Sequence, residues 1–327
     1  MILQVEAHAE RWPLREVFTI ARGSKTEAEV VVVTMTEDAA TGRGECVPYP
    51  RYGETVAGVL AQIEGVRGAL ANGLTRRQLL HVLPPGAARN AVDCALWDLA
   101  SKQARQPVWR LAGLPAPEPV VSAYTLSLAA PAEMARAATA HAHRPLLKIK
   151  LGHGEILESI RAVREAAPGA ALIVDANEAW TADQLERWLP ALKDLGVSLL
   201  EQPLPAGRDQ ALSGMDRVVP VAADESAHVA QDIDQLRDRY DVVNIKLDKA
   251  GGLTAALDMK AAALSADLGL MIGCMVSTSL AVAPALLLAS GARYVDLDGP
   301  LLLARDRDAG LLLIDQQLQP PGPELWG

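Results

Sequence analysis

Two lysines placed two residues apart inside an apolar run are the part of this sequence best equipped for chemistry. Leu146-Leu-Lys148-Ile-Lys150-Leu-Gly152 reads as a buried strand. Side chains two apart on a strand share a face, with about 6–7 Å between their roots. At that separation and an effective dielectric near 20, two ammonium groups repel by roughly 2–3 kcal/mol, or about two pKa units. Such a pair is suited to lower a lysine from its usual ~10.4 toward neutrality, where a proton-transfer base works. The competing reading is a solvated edge strand whose lysines oppose aggregation. Downstream residues favour the first reading. Charged groups close successive apolar runs, in Ile173-Val-Asp175, Leu199-Leu-Glu201, Ala222-Ala-Asp224, Asn244-Ile-Lys246 and Asp296-Leu-Asp298. One such Asp would be a helix cap. Asp175, Glu201 and Asp224 converging from adjacent strands would repel one another unless a cation sits between them. Hard oxygen donors suit Mg²⁺, which keeps positions for water or substrate, with Mn²⁺ as the expected substitute.

These residues need a scaffold that aims strand ends at one point. From Val120 onward, apolar strands alternate with helices: Val120–Leu126, Leu147–Leu151, Ala171–Asp175, Ser198–Glu201, Val219–Ala223, Val242–Lys246, Leu270–Gly273 and Tyr294–Leu297. Helices are expected between them, among others at Thr181–Leu192, Ile233–Arg239 and Thr254–Asp267. Strands recur roughly every two dozen residues, the length of one strand–helix unit, and eight parallel strands of this kind close into a barrel with its site at their C-terminal ends. The fold class is α/β: a modified TIM barrel, (β/α)7β, preceded by an α+β capping domain. Residues 1–115 form the cap, with strands at Ile2–His8, Glu29–Met35 and Thr41–Cys46 and helices at Val56–Ala71, Arg76–Leu80 and Ala87–Gln103. The Pro-rich stretch Gly113–Pro119 marks the boundary. Residues 116–300 form the barrel, and residues 301–327 are expected to pack back on the cap.

Composition narrows the class. The chain has 327 residues, half of them hydrophobic, and a formal net charge of -9. An acidic surface argues against nucleic acid and anionic membranes as partners. Cys46, Cys94 and Cys274 have no metal-knuckle spacing and read as reduced thiols of a cytoplasmic protein. The N-terminus has no leader pattern, and no apolar run is long enough to span a bilayer. A homo-oligomer is compatible with all of this.

Lys246 falls on the sixth strand, opposite the second. Lys150 and Lys246 would then face a metal-chelated substrate carboxylate from two sides. One removes the α-proton while the metal holds the enediolate, and the other returns a proton to the opposite face, inverting the centre. Lysine repulsion alone cannot bridge the gap to a carbon acid, so the divalent ion must carry most of the charge stabilisation. Lys249 reads as structural.

Together, Lys148-Ile-Lys150, Asp175-Ala-Asn177, Glu201-Gln-Pro203, Asp224-Glu225-Ser226 and Asn244-Ile-Lys246 followed by Gly251-Gly252 resemble the enolase superfamily, specifically its muconate lactonizing enzyme subgroup. The resemblance covers nearly the whole chain. It implies Lys150 and Lys246 as acid/base pair, Lys148 beside the substrate carboxylate, and Asp175, Glu201 and Asp224 as Mg²⁺ ligands. Asp296-Leu-Asp298 looks like the pair with which dipeptide epimerases of the subgroup hold a substrate ammonium; two apart on a strand, both carboxylates can face one cation. Thr19–Ser24 and Gly44–Gly53 look like loops that close the barrel mouth. The resemblance further implies that Arg22 pairs with the side-chain carboxylate of a C-terminal glutamate. Arg51 and Tyr52 stand where they could gate entry. The implied activity is epimerisation of a small dipeptide at its C-terminal residue, of the L-Ala-D/L-Glu type released from murein. Rivals are o-succinylbenzoate synthase, muconate cycloisomerase or N-acylamino acid racemase activity, a Schiff-base lyase, and an inactive metal-dependent binding protein. One departure stands out: Ser277 occupies a place where many relatives carry a glutamate. Met275, Val276 and Ser277 are expected to line the wall that sees the first residue of the dipeptide.

Overall fold

The computed structural model describes residues 3–327, so Ile2, the expected start of the first alternating stretch, lies outside the described residues. Strands β1 (Gln4–Ile20), β2 (Gly23–Glu37) and β3 (Ala40–Cys46) form an antiparallel sheet in that order. The β1–β2 hairpin is longer than the alternating stretches. A register shift between Pro13 and Phe18 bends β1, as an irregular strand does. The hairpin thereby reaches the segment after Tyr124–Leu126 at the start of the barrel, where Leu128 N donates to Thr19 O at 2.9 Å. Helices α1 (Val56–Ala71), α2 (Arg76–Val82) and α3 (Ala87–Ala104) cover one face of the sheet. A β-carbon on Gly42 would stand 2.2 Å from Leu99 N, and one on Gly44 2.1 Å from Ala91 O. Only glycine lets β3 approach α3 this closely.

The expected strand Val120–Leu126 is two strands. β4 (Val120–Val121) pairs with a C-terminal strand, and β5 (Tyr124–Leu126) enters the barrel. Ser122 makes the break: its Oγ accepts from Leu297 N at 2.8 Å and donates to Ala123 O. The barrel continues with β6 (Leu146–Lys150), β7 (Ala171–Asp175), β8 (Val197–Glu201), β9 (Val221–Ala223), β10 (Val242–Lys246), β11 (Gly269–Gly273) and β12 (Tyr294–Asp296), all parallel and adjacent in chain order. A bond from Ala123 N to Val295 O at 2.8 Å joins the last strand to the first.

Strand alternation then sorts the side chains. One residue per strand fills the barrel interior: Ala123, Leu146, Ile173, Leu199, Ala222, Val242, Met271 and Tyr294. Along the same inward face, toward the strand C-termini, stand Lys148, Lys150, Asp175, Glu201, Asp224, Lys246 and Asp296. The opposite parity, including Leu147, Ile149, Val174, Leu200, Val243 and Ile272, packs outward in the main core. The apolar floor excludes water beneath the charged layer, which strengthens every charge interaction above it.

The helical ring is incomplete. Between β8 and β9 the chain makes only a 3₁₀ turn at Gln210–Gly214, and the helix expected over Ile233–Arg239 stops at Leu236. Asp209, fully buried, accepts from Ser226 Oγ at 2.6 Å and from Arg239 Nη1 and Tyr240 Oη at 2.5 Å each. These side-chain bonds hold the connections instead. After β12, strands β13 (Leu313–Ile314) and β14 (Gln317–Leu318) follow, with β14 against β4. The tail ends on α3, with Trp326 Nε1 donating to Cys94 O and Gly327 N to Asp98. Among the described residues, no helix is long and apolar enough to cross a membrane.

Candidate active site

Lys150 and Asp175 are direct partners across β6 and β7, with Nζ 2.5 Å from Oδ2. Lys148, 1% exposed, lies deeper: 2.6 Å from Glu201 Oε2, 2.7 Å from Asp296 Oδ2 and 3.1 Å from Asp175 Oδ2. On the far side, Lys246 Nζ lies 2.7 Å from Asp224 Oδ2. β10 stands four strands from β6 in the ring of eight, so Lys246 faces Lys150 across the barrel. Lys249 belongs here too. The turn Leu247–Ala250 brings its Nζ to 2.6 Å from the other oxygen of Asp224. Asn244, two residues before Lys246, donates to Glu201 Oε1 at 2.9 Å.

The carboxylates dominate the electrostatics of Lys148 and Lys246. For Lys148, burial works to lower the pKa but is outweighed by Asp296, Glu201, Asp175 and Asp224, and the result lies well above the usual value. Lys246 is likewise raised, burial being overcome by Asp224 and Glu201. The carboxylates, nearer than the second lysine, decide the sign. Glu201 is pushed up to about 7 by burial and by the like charges of Asp175 and Asp224. Asp175 and Asp224 move down because their lysines outweigh burial.

Among the described residues, no three His, Cys, Asp or Glu side chains are gathered as a metal site. Each expected metal carboxylate is turned onto a lysine. Yet the donor chemistry fits a hard cation. Glu201 Oε2, Asn177 Oδ1, Glu225 Oε2 and Asn244 Oδ1 are buried oxygens with no hydrogen-bond partner; the contact of Lys148 with Glu201 Oε2 is close but not aligned as a hydrogen bond. Buried oxygens left unpaired near the strand ends, with Glu201 crowded by like charge, are what a divalent ion with oxygen ligands would satisfy.

Above this layer is a cavity of about 280 Å³. Lys148, Lys150, Asp224, Lys246, Asp296 and Asp298 line its barrel side, with Asp175 and Glu201 behind them. Asp298 Oδ2 accepts from Thr125 N at 2.6 Å, and Asp296 Oδ1 is buried without a partner. Burial and the neighbouring Asp296 push Asp298 up to about 6. Met275 and Val276 line the wall as expected, but Ser277 does not. Its hydroxyl turns back to Met275 O at 3.0 Å.

The capping loops supply the roof. Arg22, from the β1–β2 turn, is already engaged: Nη2 lies 2.8 Å from Glu225 Oε1, and Nη1 lies 3.3 Å from Glu178 Oε2. Lys25, on the adjoining strand, also lines the cavity and has no ion-pair partner among the described residues; its Nζ lies 6.0 Å from the centre of the Phe18 ring. Burial, then Lys150, lowers it to about 8. Sequence alone gave no sign of Lys25 or Glu178 as site residues, and Glu225 stood in a motif without a role. Asn244 and Lys249 were within reach, the first by strand parity with Lys246 and the second by a one-turn return.

Residues 130–308 match the family model described as enolase C-terminal domain-like, and residues 2–113 match the N-terminal domain of the mandelate racemase / muconate lactonizing enzymes. The chain belongs to this family. It is 48% identical to an L-Ala-D/L-Glu epimerase of Escherichia coli K12, over 94% of this chain and 96% of that one. It is 44% identical to an N-acetyl-D-glutamate racemase of a Pseudoalteromonas species, over 91% and 95%. A crystal structure of an enolase family member from Agrobacterium tumefaciens, with homology to dipeptide epimerases and with sodium and L-Ala-L-Glu bound, superposes with a TM-score of 0.97 at 51% identity. The match covers 99% of this chain and 100% of that one.

Proposed function

We propose that the protein is a dipeptide epimerase that inverts the α-carbon of the C-terminal residue, with L-Ala-D/L-Glu as substrate. The observation that carries this reading is the opposition of Lys150 and Lys246 across one cavity whose rim holds Asp296 and Asp298. Two lysines on opposite faces, one acting as the neutral amine and the other as the ammonium, allow proton removal on one side and return on the other. Lys148, buried beside Lys150, holds the substrate carboxylate against the barrel floor. Lys249 keeps Asp224 charged and in place.

Asp175, Glu201 and Asp224 would hold Mg²⁺. When bound, the ion supplies Lewis-acid stabilisation of the negative charge that develops as the α-proton leaves. Asp296 and Asp298 receive the substrate ammonium. The unpartnered Asp296 Oδ1 and the mutual crowding that raises Asp298 support this assignment, because a cation relieves both. On the roof, Arg22 is held by Glu225 and Glu178, so the cation open to a far carboxylate is Lys25, with Arg22 behind it.

A second reading, racemisation of an N-acylated glutamate, draws on the 44% identical racemase. Side-by-side polarimetry of L-Ala-L-Glu and N-acetyl-L-glutamate with Mg²⁺ separates the two. A change of rotation toward that of the L,D epimer for the dipeptide supports the proposal. Turnover of the acylated amino acid alone overturns it.

A further inference from the structure

Glu178 follows the Asp175-Ala-Asn177 run, and its side chain meets the cap. Both loops of the roof end on it. Arg51, from the loop before α1, grips it with two bonds: Nε to Oε2 at 3.0 Å and Nη2 to Oε1 at 2.9 Å. Arg22, from the β1–β2 turn, reaches Oε2 at 3.3 Å and the neighbouring Asn177 O at 3.2 Å. Ala206 N, in the connection after β8, donates to Oε1 at 2.9 Å. Arg22 also touches Tyr49 Oη at 3.3 Å, linking the two loops to each other. One carboxylate, 9% exposed at its side chain, thus ties two cap loops to two barrel connections.

The backbone is bent to deliver it. Asn177 and Glu178 have φ of 45° and 69°, a left-handed conformation that non-glycine residues adopt at a cost. Bonds from Asn177 N to Asp175 Oδ1 at 2.9 Å and from Glu178 N to Gln202 O at 2.8 Å hold the bend. The strained turn sits two to three residues after Asp175, so the strand end that would hold the metal and the anchor of the roof are one rigid unit.

We propose that Glu178 is the positioning residue that latches both capping loops over the cavity at once, so that the roof opens and closes as a unit. The proposal rests on the dipeptide reading only for its kinetic consequence. The latch itself is a property of the ligand-free protein.

The test uses the full-length chain and the variants Glu178→Gln and Arg51→Met. Hydrogen–deuterium exchange without substrate should show faster exchange in residues 20–25 and in residues 49–53 together for Glu178→Gln, while α1–α3 and the barrel strands stay at parent rates. Arg51→Met should loosen residues 20–25 as well as its own loop. With L-Ala-L-Glu and Mg²⁺, KM should rise about tenfold or more with kcat changed far less, as expected for lost charge-assisted bonds that hold a closed state. The double variant should be little worse than Glu178→Gln, because both changes break one latch. Exchange confined to one loop, or spread evenly over the chain, overturns the latch, as does a fall in kcat at constant KM. If no variant or parent turns the dipeptide over, the function is wrong, and the exchange pattern alone still decides the latch.

Discussion

Lys150 Nζ lies 2.5 Å from Asp175 Oδ2, and the two residues are register partners on adjacent strands. The proposed base and a proposed metal ligand are therefore held by the same backbone ladder. Across the barrel Lys246 and Asp224 make a second close pair at 2.7 Å, with Asp224 just past the end of β9 rather than in register with Lys246. Lys150 and Lys246 thus rest on different carboxylates, Asp175 and Asp224, each of which also meets a second lysine, Lys148 or Lys249.

The two faces should be separable. Lys150→Ala and Lys246→Ala should each lower epimerisation by about 10²–10⁴-fold, the usual range for a lost acid/base group. Each variant should retain solvent exchange of the α-proton from only one epimer, and the two variants should differ in which. Deuterium incorporation into separately supplied L-Ala-L-Glu and L-Ala-D-Glu measures this. Retention of the parent rate in Lys246→Ala contradicts the two-sided mechanism.

Lys25 should impose a pH dependence on substrate recognition. Its pKa is lowered to about 8, so it is charged below that pH and neutral above it. KM for a glutamate-containing dipeptide should rise as the pH passes above about 8. Lys25→Arg should move this rise to higher pH. Arg22→Met, whose partners are Glu225 and Glu178, should raise KM without altering that profile. A profile unchanged in Lys25→Arg contradicts the assignment.

The ammonium site predicts a selective loss. Asp298→Asn should raise KM for a free-amine dipeptide by roughly tenfold or more, in line with loss of a charge-assisted bond. N-acetylated glutamate, with no ammonium, should bind the variant no worse than the parent. Competition binding of the two compounds checks both statements.

Chelation should abolish turnover, and Mg²⁺ should restore it. Independently of activity, Mg²⁺ should raise the melting temperature, because a ligand bound only by the folded state stabilises it by about 2.7 kcal/mol at one hundred times its Kd. Glu201→Gln should remove most of that rise. A melting temperature indifferent to Mg²⁺ in the parent contradicts the metal assignment.

A further prediction concerns the contact between cap and barrel. Asp248 is buried and accepts from Val47 N at 3.0 Å and from Asn90 Nδ2 at 2.9 Å. Burial raises its pKa to about 7, those two bonds only partly offsetting it. A carboxyl raised on folding favours the folded state fully below its unfolded pKa, near 4, and loses that contribution as the pH rises through about 7. Asp248→Asn should therefore be more stable than the parent above pH 7, by on the order of 2–4 kcal/mol. The difference should narrow as the pH falls toward 4. Denaturant midpoints across that range test the sign.

What could be read from the sequence follows from strand parity. Lys148, Lys150, Asp175, Glu201, Asp224 and Lys246 all end apolar runs, and a period of two turns them inward together with the apolar floor beneath. The helix at Ala182–Asp194 was equally legible, since Thr181 and Gln184 form its capping box. The residues that escaped depend on one segment packing against a distant one. Glu225 and Glu178 meet Arg22 across more than 150 residues of chain, and Lys25 reaches the cavity only because β1 and β2 extend past their alternating stretches. The raised pKa of Lys148 was out of reach for a related reason. The Lys148–Lys150 spacing is local, whereas Asp296 and Glu201, which outweigh it, arrive from other strands.

Proton NMR of L-Ala-L-Glu with the protein and Mg²⁺ in D₂O tests the central claim most directly. The account predicts that the glutamate α-proton signal disappears while the L,D epimer appears, and that both changes are lost in Lys150→Ala/Lys246→Ala. An α-proton that persists unchanged, with the dipeptide bound and Mg²⁺ present, would contradict it.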